Sequence, residues 1–201
     1  MRLVVGLGNP GPEHAGTRHN AGFWFVERLA VAAGARLRSE SSRFHGIVGR
    51  IAGGGECWLL MPQTFMNASG RSVGALARFY KVAPDDILIA HDELDLPPGT
   101  AKLKKGGGVS GHNGLKDVAA HLGTHGFWRL RLGIGHPGDR ADVVSYVLHP
   151  PRHEEREAID ASIDKSLDVW PLIARGDLEA AMLKLHTKPR PPSEPKPDDP
   201  P

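Results

Sequence analysis

Leu3-Val4-Val5-Gly6-Leu7-Gly8-Asn9-Pro10-Gly11 decides how the rest of the chain is read. Three apolar residues closed by glycine predict a short buried strand running into a loop. The glycines match the GxGxxG of dinucleotide-binding folds letter for letter, but the context fails. That site needs a helix beginning at the third glycine, so that its N-terminus meets the pyrophosphate. Here Pro12 follows, and the next helical pattern starts near Ala21. The acidic residue expected about 20 positions on would be Glu27 or Glu40, and neither ends a predicted strand. The loop supplies a positioned amide instead. Pro10 disfavours the helical region for Asn9. Asn9 is therefore expected just past the carboxyl end of a strand, where open α/β sheets bind ligands. An asparagine there also closes turns through its own backbone, and Asn9 alone does not separate the two readings.

Outward from this strand, strands and helices alternate. Residues 21–33 predict a helix ended by Gly34. Phe44–Ile51 and Cys57–Met61 flank a glycine-rich turn and predict a hairpin. Val73, Leu76, Ala77 and Tyr80 share one helical face, as do Leu115, Val118, Ala119 and Leu122. Ile87–His91 predicts a second buried strand. Trp128-Arg129-Leu130-Arg131-Leu132 alternates like a strand with one wet face. Ile159, Ile163, Leu167 and Trp170 mark a late helix broken near Pro171, with a short one over 178–186. The pattern predicts an α/β sheet sandwiched by helices in one domain, residues 1–186. Residues 187–201 hold seven of the 17 prolines and no aliphatic or aromatic side chain, and are expected to form a disordered Pro-rich tail.

Composition narrows the function. With 25 basic and 23 acidic residues the net charge is +2, which excludes a histone-like polycation, so a nucleic-acid contact must come from a local patch. The single cysteine, Cys57, excludes an internal disulfide framework and a CxxC metal cluster. No apolar run approaches the ~20 residues of a membrane helix, and the N-terminal apolar stretch is too short for a signal peptide. A soluble protein of a reducing compartment is expected.

Four constellations carry polar chemistry. Thr17-Arg18-His19-Asn20 precedes the first helix, with Asn20 a natural N-cap. A histidine at a helix N-terminus is held towards its neutral form, which a general base requires. His91-Asp92-Glu93 ends a strand, and a carboxylate there would fix the tautomer of a base histidine. Asp92 would equally cap backbone amides, or join His91, Glu93 and His112 around a metal, although neighbouring strand residues point to opposite faces. Pro62-Gln63-Thr64-Phe65-Met66-Asn67 and Gly111-His112-Asn113-Gly114 each place an asparagine at a helix start. With Asn9 these would converge on one polar substrate, and Phe65 and Met66 would add an apolar or stacking surface. N-capping and loop packing are the plainer roles. Finally, Lys102, Lys104, Lys105, Lys116, Arg129 and Arg131 are opposed only by Asp117, a sign bias that suits a phosphate-bearing partner.

Together these segments resemble the bacterial peptidyl-tRNA hydrolase family. The resemblance runs in order from Gly6-Leu7-Gly8-Asn9-Pro10-Gly11 through Thr17-Arg18-His19-Asn20-Ala21-Gly22-Phe23 and Pro62-Gln63-Thr64-Phe65-Met66-Asn67. It continues with His91-Asp92-Glu93-Leu94-Asp95-Leu96-Pro97-Pro98-Gly99, Gly111-His112-Asn113-Gly114-Leu115-Lys116 and Arg129-Leu130-Arg131-Leu132-Gly133-Ile134-Gly135. It implies a compact α/β domain with a central mixed sheet, and a monomeric cytoplasmic esterase needing no metal or cofactor. Its substrate would be peptidyl-tRNA, cut between the peptide and the 3′-terminal ribose. By position His19 would be the general base and Asp92 its orienting carboxylate. Asn9, Phe65, Met66, Asn67 and Asn113 would hold the substrate, and Lys102, Lys104 and Arg131 would face tRNA phosphate. The chain departs from the family at His14, where tyrosine is usual and which would put another titratable group near the site. It also departs at Ser110, where a second glycine is frequent. The main alternative is an RNA-binding module on the same fold, which would keep the basic patch but need no base–acid pair. Cys57, between Glu56 and Trp58-Leu59-Leu60, reads as a packed strand residue rather than a nucleophile.

Overall fold

The computed structural model describes residues 1–53, 55–109 and 111–187. Ser110 and the tail beyond Thr187 lie outside them. Among the described residues seven strands form one mixed sheet. Strand β1 is Leu3–Gly6, followed by α1, Ala21–Ala32. The short β2 (Arg38–Ser39) and α2 (Ser41–Phe44) lead into β3, Gly46–Ile51, and β4, Cys57–Pro62. Next come α3 (Ser69–Phe79), β5 (Ile87–Glu93) and β6 (Ala101–Lys105). The chain goes on through α4 (Asn113–Leu122), β7 (Trp128–Gly133) and α5 (Val143–Val147). It closes with α6 (His153–Asp168), α7 (Trp170–Ala174) and α8 (Leu178–His186).

The sheet order is β2-β3-β4-β1-β5-β7-β6. Its centre is parallel, β1 pairing with β4 and β5, and β5 with β7. Both edges are antiparallel. Alternate strand residues feed two cores: Val4, Leu59, Leu88 and Leu130 meet α1, α6 and α8, while Leu3, Val5, Leu60 and Ile89 meet α3 and α4. Strands buried on both sides need apolar residues on both, which is why the runs at 3–5 and 87–90 are unbroken. β1 lies between its parallel partners β4 and β5, with α1 crossing one face of the sheet and α3 the other, so the loops beyond the carboxyl ends of these strands separate and leave a crevice.

Several boundaries differ from the sequence expectation for identifiable reasons. The hairpin starts at Gly46 rather than Phe44, because Phe44 closes α2 and His45 turns the chain in the left-handed region, φ 51°. Gly34, φ 63°, follows α1 as expected. The late helix divides at Val169, with Pro171 in the first turn of α7, where its missing N–H costs no helical bond. The wet face expected on β7 is dry at Arg129, which is 4% exposed. Its guanidinium donates to the carbonyls of Gly108 (2.8 Å) and Gly106, so the glycine loop folds over that face of the strand.

Candidate active site

Gly6 and Gly22 bring the two halves of the site together. A Cβ on either would run into the backbone where α1 crosses β1, and one on Gly22 would also meet the Ala90 carbonyl. Their bareness lets the start of α1 lie directly on β1 and β5. The 3-10 turn Arg18–Asn20 before α1 therefore reaches the end of β5. His19 Nδ1 lies 2.9 and 3.0 Å from the two carboxylate oxygens of Asp92. Asp92 is 3% exposed, and Oδ1 also meets His112 Nε2 at 2.9 Å.

The surrounding bonds assign the protons. Backbone Leu115 N–H donates to His112 Nδ1 at 3.3 Å, capping α4. That nitrogen carries a lone pair, so neutral His112 holds its proton on Nε2, directed at Asp92. Burial alone would favour a protonated Asp92, but His19 and His112 outweigh it and push its pKa down. As a carboxylate, Asp92 accepts from His19 Nδ1–H and leaves His19 Nε2 with a free lone pair.

For His19, burial is the largest single influence and disfavours the imidazolium. The charge and hydrogen bond of Asp92 together outweigh it, so its pKa is raised above 6.5. A helix N-terminus alone would lower it, and the Asp92 carboxylate at 2.9 Å overrides that dipole end. Behind them His91 is fully buried and donates from Nδ1 to the Asp92 carbonyl at 2.7 Å. Burial and the neighbouring His112 hold its pKa down to about 3.

Asn9 is positioned by a reciprocal pair. Its N–H donates to Asn20 Oδ1 and its carbonyl accepts from Asn20 Nδ2, both at 2.9 Å. Asn20 sits at the cap position of α1 but makes no capping bond; its amide is spent joining the two loops. Asn9 Oδ1 accepts from Met66 N–H at 2.7 Å, which leaves its NH2 as the group able to donate to a ligand.

A cleft of about 700 Å³ gathers Asn9, His19, Phe65, Met66, Asn67, Asp92 and Asn113. Phe65 is 66% exposed, whereas Met66 is buried. Asn67 lies in the 3-10 turn Met66–Ala68, and Asn113 opens α4. Two contributors lie beyond the sequence expectation. His112, a metal ligand at most by sequence, is here a second donor to Asp92. The apolar wall of Val143, Val144 and Val147 comes from α5, with Leu148 just beyond it; valine-rich stretches this short carry no helical periodicity to reveal them.

The basic residues divide. Lys102 lies opposite Arg131 and Lys104 opposite Arg129, placing four cations on one face of the β6–β7 pair. Arg129 is bound to the glycine loop, and Arg131 Nε pairs with Glu93 Oε2 at 2.8 Å. Lys102 and Lys104 stay exposed. His14 does not line the cleft; its imidazole lies 3.8 Å from the Glu13 carboxylate.

The metal set considered from sequence is not assembled, since His91 turns to a backbone carbonyl and Glu93 to Arg131. His19, Asp92 and His112 do approach one another closely enough for a cation. The Leu115 bond, however, puts the His112 proton on the nitrogen that would have to ligate. Cys57 is buried beside none of this, its thiol pushed up to about 11 by burial.

A histidine–carboxylate pair on the floor of a cleft, at the switch point of a mixed α/β sheet, is the arrangement of a hydrolytic enzyme. Residues 3–193 match the family described as Peptidyl-tRNA hydrolase. The chain is 61% identical over 189 residues to the peptidyl-tRNA hydrolase of Nitrosospira multiformis, covering 94% of this chain and 98% of that one. It is 62% identical over 191 residues to that of Thiobacillus denitrificans, covering 95% and 93%. The crystal structure of peptidyl-tRNA hydrolase from Acinetobacter baumannii superposes with a TM-score of 0.89 at 49% identity, covering 92% of this chain and 94% of that one. The chain belongs to the peptidyl-tRNA hydrolase family.

Proposed function

We propose that this chain hydrolyses the ester joining the peptide to the 3′-terminal ribose of peptidyl-tRNA, with His19 as general base. The observation that carries the assignment is Asp92, which accepts from both His19 and His112 and leaves His19 Nε2 open to the cleft. His19 Nε2 takes a proton from water, and the water oxygen adds to the ester carbonyl carbon. The developing oxyanion accepts a hydrogen bond from the Asn9 NH2, an interaction of a kind worth ~10²–10³ in rate. Collapse breaks the bond to the ribose oxygen, which takes the proton back from His19 Nε2. Asn67 and Asn113 hold the peptide backbone, Phe65 offers a face to the terminal base, and Lys102 and Lys104 meet acceptor-stem phosphates. Arg131 lends charge to the same surface while tied to Glu93. The enzyme acts as a cytoplasmic monomer that returns tRNA to translation.

The test uses purified protein on a peptidyl-tRNA and on the matching aminoacyl-tRNA with a free amine, with and without EDTA. Turnover of the peptidyl substrate alone, insensitive to chelation, is expected. His19→Ala should lose at least ~10² in turnover and keep its affinity for tRNA. Near-normal turnover in this variant removes His19 from the mechanism. Loss of wild-type activity with EDTA would instead point to a cation between His19, Asp92 and His112.

A further inference from the structure

A second cavity, of about 390 Å³, adjoins the cleft and shares Asn9 with it. Its apolar lining includes Phe23, Trp24, Ile47 and Met61. Glu27 and Gln63 supply polar atoms. Nothing in the reaction proposed above uses this space.

The sheet order says which part of a substrate would reach it. Ile47 and Met61 belong to β3 and β4, Asn9 follows β1, Asp92 ends β5, and Arg131 and Lys102 lie on β7 and β6. In the order β3-β4-β1-β5-β7-β6 the cavity and the candidate phosphate-binding lysines therefore lie on opposite sides of the reacting pair. An ester held at His19 and Asn9 with its nucleotide towards Lys102 sends its acyl chain the other way, past Asn9. The chemistry of the cavity suits a long side chain with an apolar stem and a cationic tip, the stem along Ile47 and Met61 and the tip at Glu27. Glu27 is exposed and makes no ion pair among the described residues. The nearby Arg156 is committed to Asp160, at 3.0 and 3.1 Å, and stacks over Trp24.

We propose that this cavity is a subsite for the peptide moiety, receiving a lysine or arginine side chain upstream of the residue esterified to tRNA. The proposal rests on the peptidyl-tRNA reading and adds to it a preference among peptides.

The test compares four substrates on one tRNA: N-acetyl-alanyl, and N-acetylated Lys-Ala, Leu-Ala and Glu-Ala. Wild-type protein should favour Lys-Ala over Glu-Ala by about fivefold in kcat/KM, the scale of one exposed ion pair. Glu27→Lys should reverse that order while keeping the rate on N-acetyl-alanyl-tRNA. Leu-Ala should lie between the charged pair in both proteins. Equal rates for Lys-Ala and Glu-Ala in the wild type, or an unchanged preference in Glu27→Lys, would overturn the subsite. A wild type inactive on N-acetyl-alanyl-tRNA would refute the esterase reading itself, so the two failures are distinct.

Discussion

Asp92→Asn probes the site most sharply, because the structure dictates which way the new amide must turn. Asp92 accepts from two N–H groups, His19 Nδ1 and His112 Nε2. An asparagine oxygen at the Oδ1 position stays 2.9 Å from both histidine nitrogens, but the NH2 then stands at the Oδ2 position, 3.0 Å from His19 Nδ1, so His19 faces a donor where it faced an acceptor. His112 cannot adapt without losing the Leu115 cap bond to its Nδ1. The amide oxygen therefore stays with His112, and the NH2 competes for His19 Nδ1, which favours the His19 proton on Nε2 and blocks the base. A loss of ~10²–10⁴ in turnover is expected, the range for a misplaced general base. Removing the charge should also shift the acid limb of the pH–rate profile. Asp92 is what raises the His19 pKa against burial. With burial left unopposed, the limb should move to lower pH, below the ordinary histidine value. The double variant Asp92→Asn with His112→Ala lets the amide turn its oxygen to His19 alone and should regain part of the lost turnover. Single-turnover rates from pH 5 to 9 measure all three. An unmoved acid limb, together with no gain from His112→Ala, would refute the tautomer argument.

Asn20→Ala strips partners from the buried backbone N–H and C=O of Asn9, each worth about 1–3 kcal/mol, so both the melting temperature and turnover should fall. An unchanged melt would show that Met66 alone suffices to hold Asn9. The raised His19 pKa also has opposite consequences for rate and stability. The pair contributes stability below the unfolded pKa and loses it as pH rises through the folded one, while turnover climbs over the same window. Thermal melts of wild type and His19→Ala should converge as that window is crossed, and a constant gap would contradict the pairing. Neutralising Lys102 and Lys104 to glutamine should flatten the salt dependence of tRNA binding by about 1.8 in log K against log salt, ~0.9 for each duplex phosphate contact. Arg131→Ala should additionally destabilise the fold, since it strands the buried Glu93. Equal slopes in wild type and the lysine variant would place the phosphates elsewhere.

The α/β class, the main strands and helices, and most of the polar residues that gather in the cleft are legible in the amino-acid order alone. Apolar runs at 3–5 and 87–90 can only be satisfied by burial on both faces, and Asn9, His19, Asp92, Asn67 and Asn113 all sit where strands or helices begin or end. Local chemistry is legible at such junctions because glycine, proline and capping residues constrain the backbone within a few positions. Tertiary structure decided the rest through contacts between residues distant in the chain. Asn20 reads as a helix cap but joins Asn9, because folding brings an unpaired backbone segment within its reach. Arg129 reads as solvated but is buried by a glycine loop more than 20 residues away. Arg131 reads as free charge but is paired with Glu93 from the neighbouring strand. His112 becomes part of the reacting group only because the α4 terminus arrives beside Asp92, with its tautomer set by a backbone N–H three residues on. Hydrogen bonds and ion pairs act over about 3 Å of space whatever the separation along the chain, so their partners are decided by the packed fold.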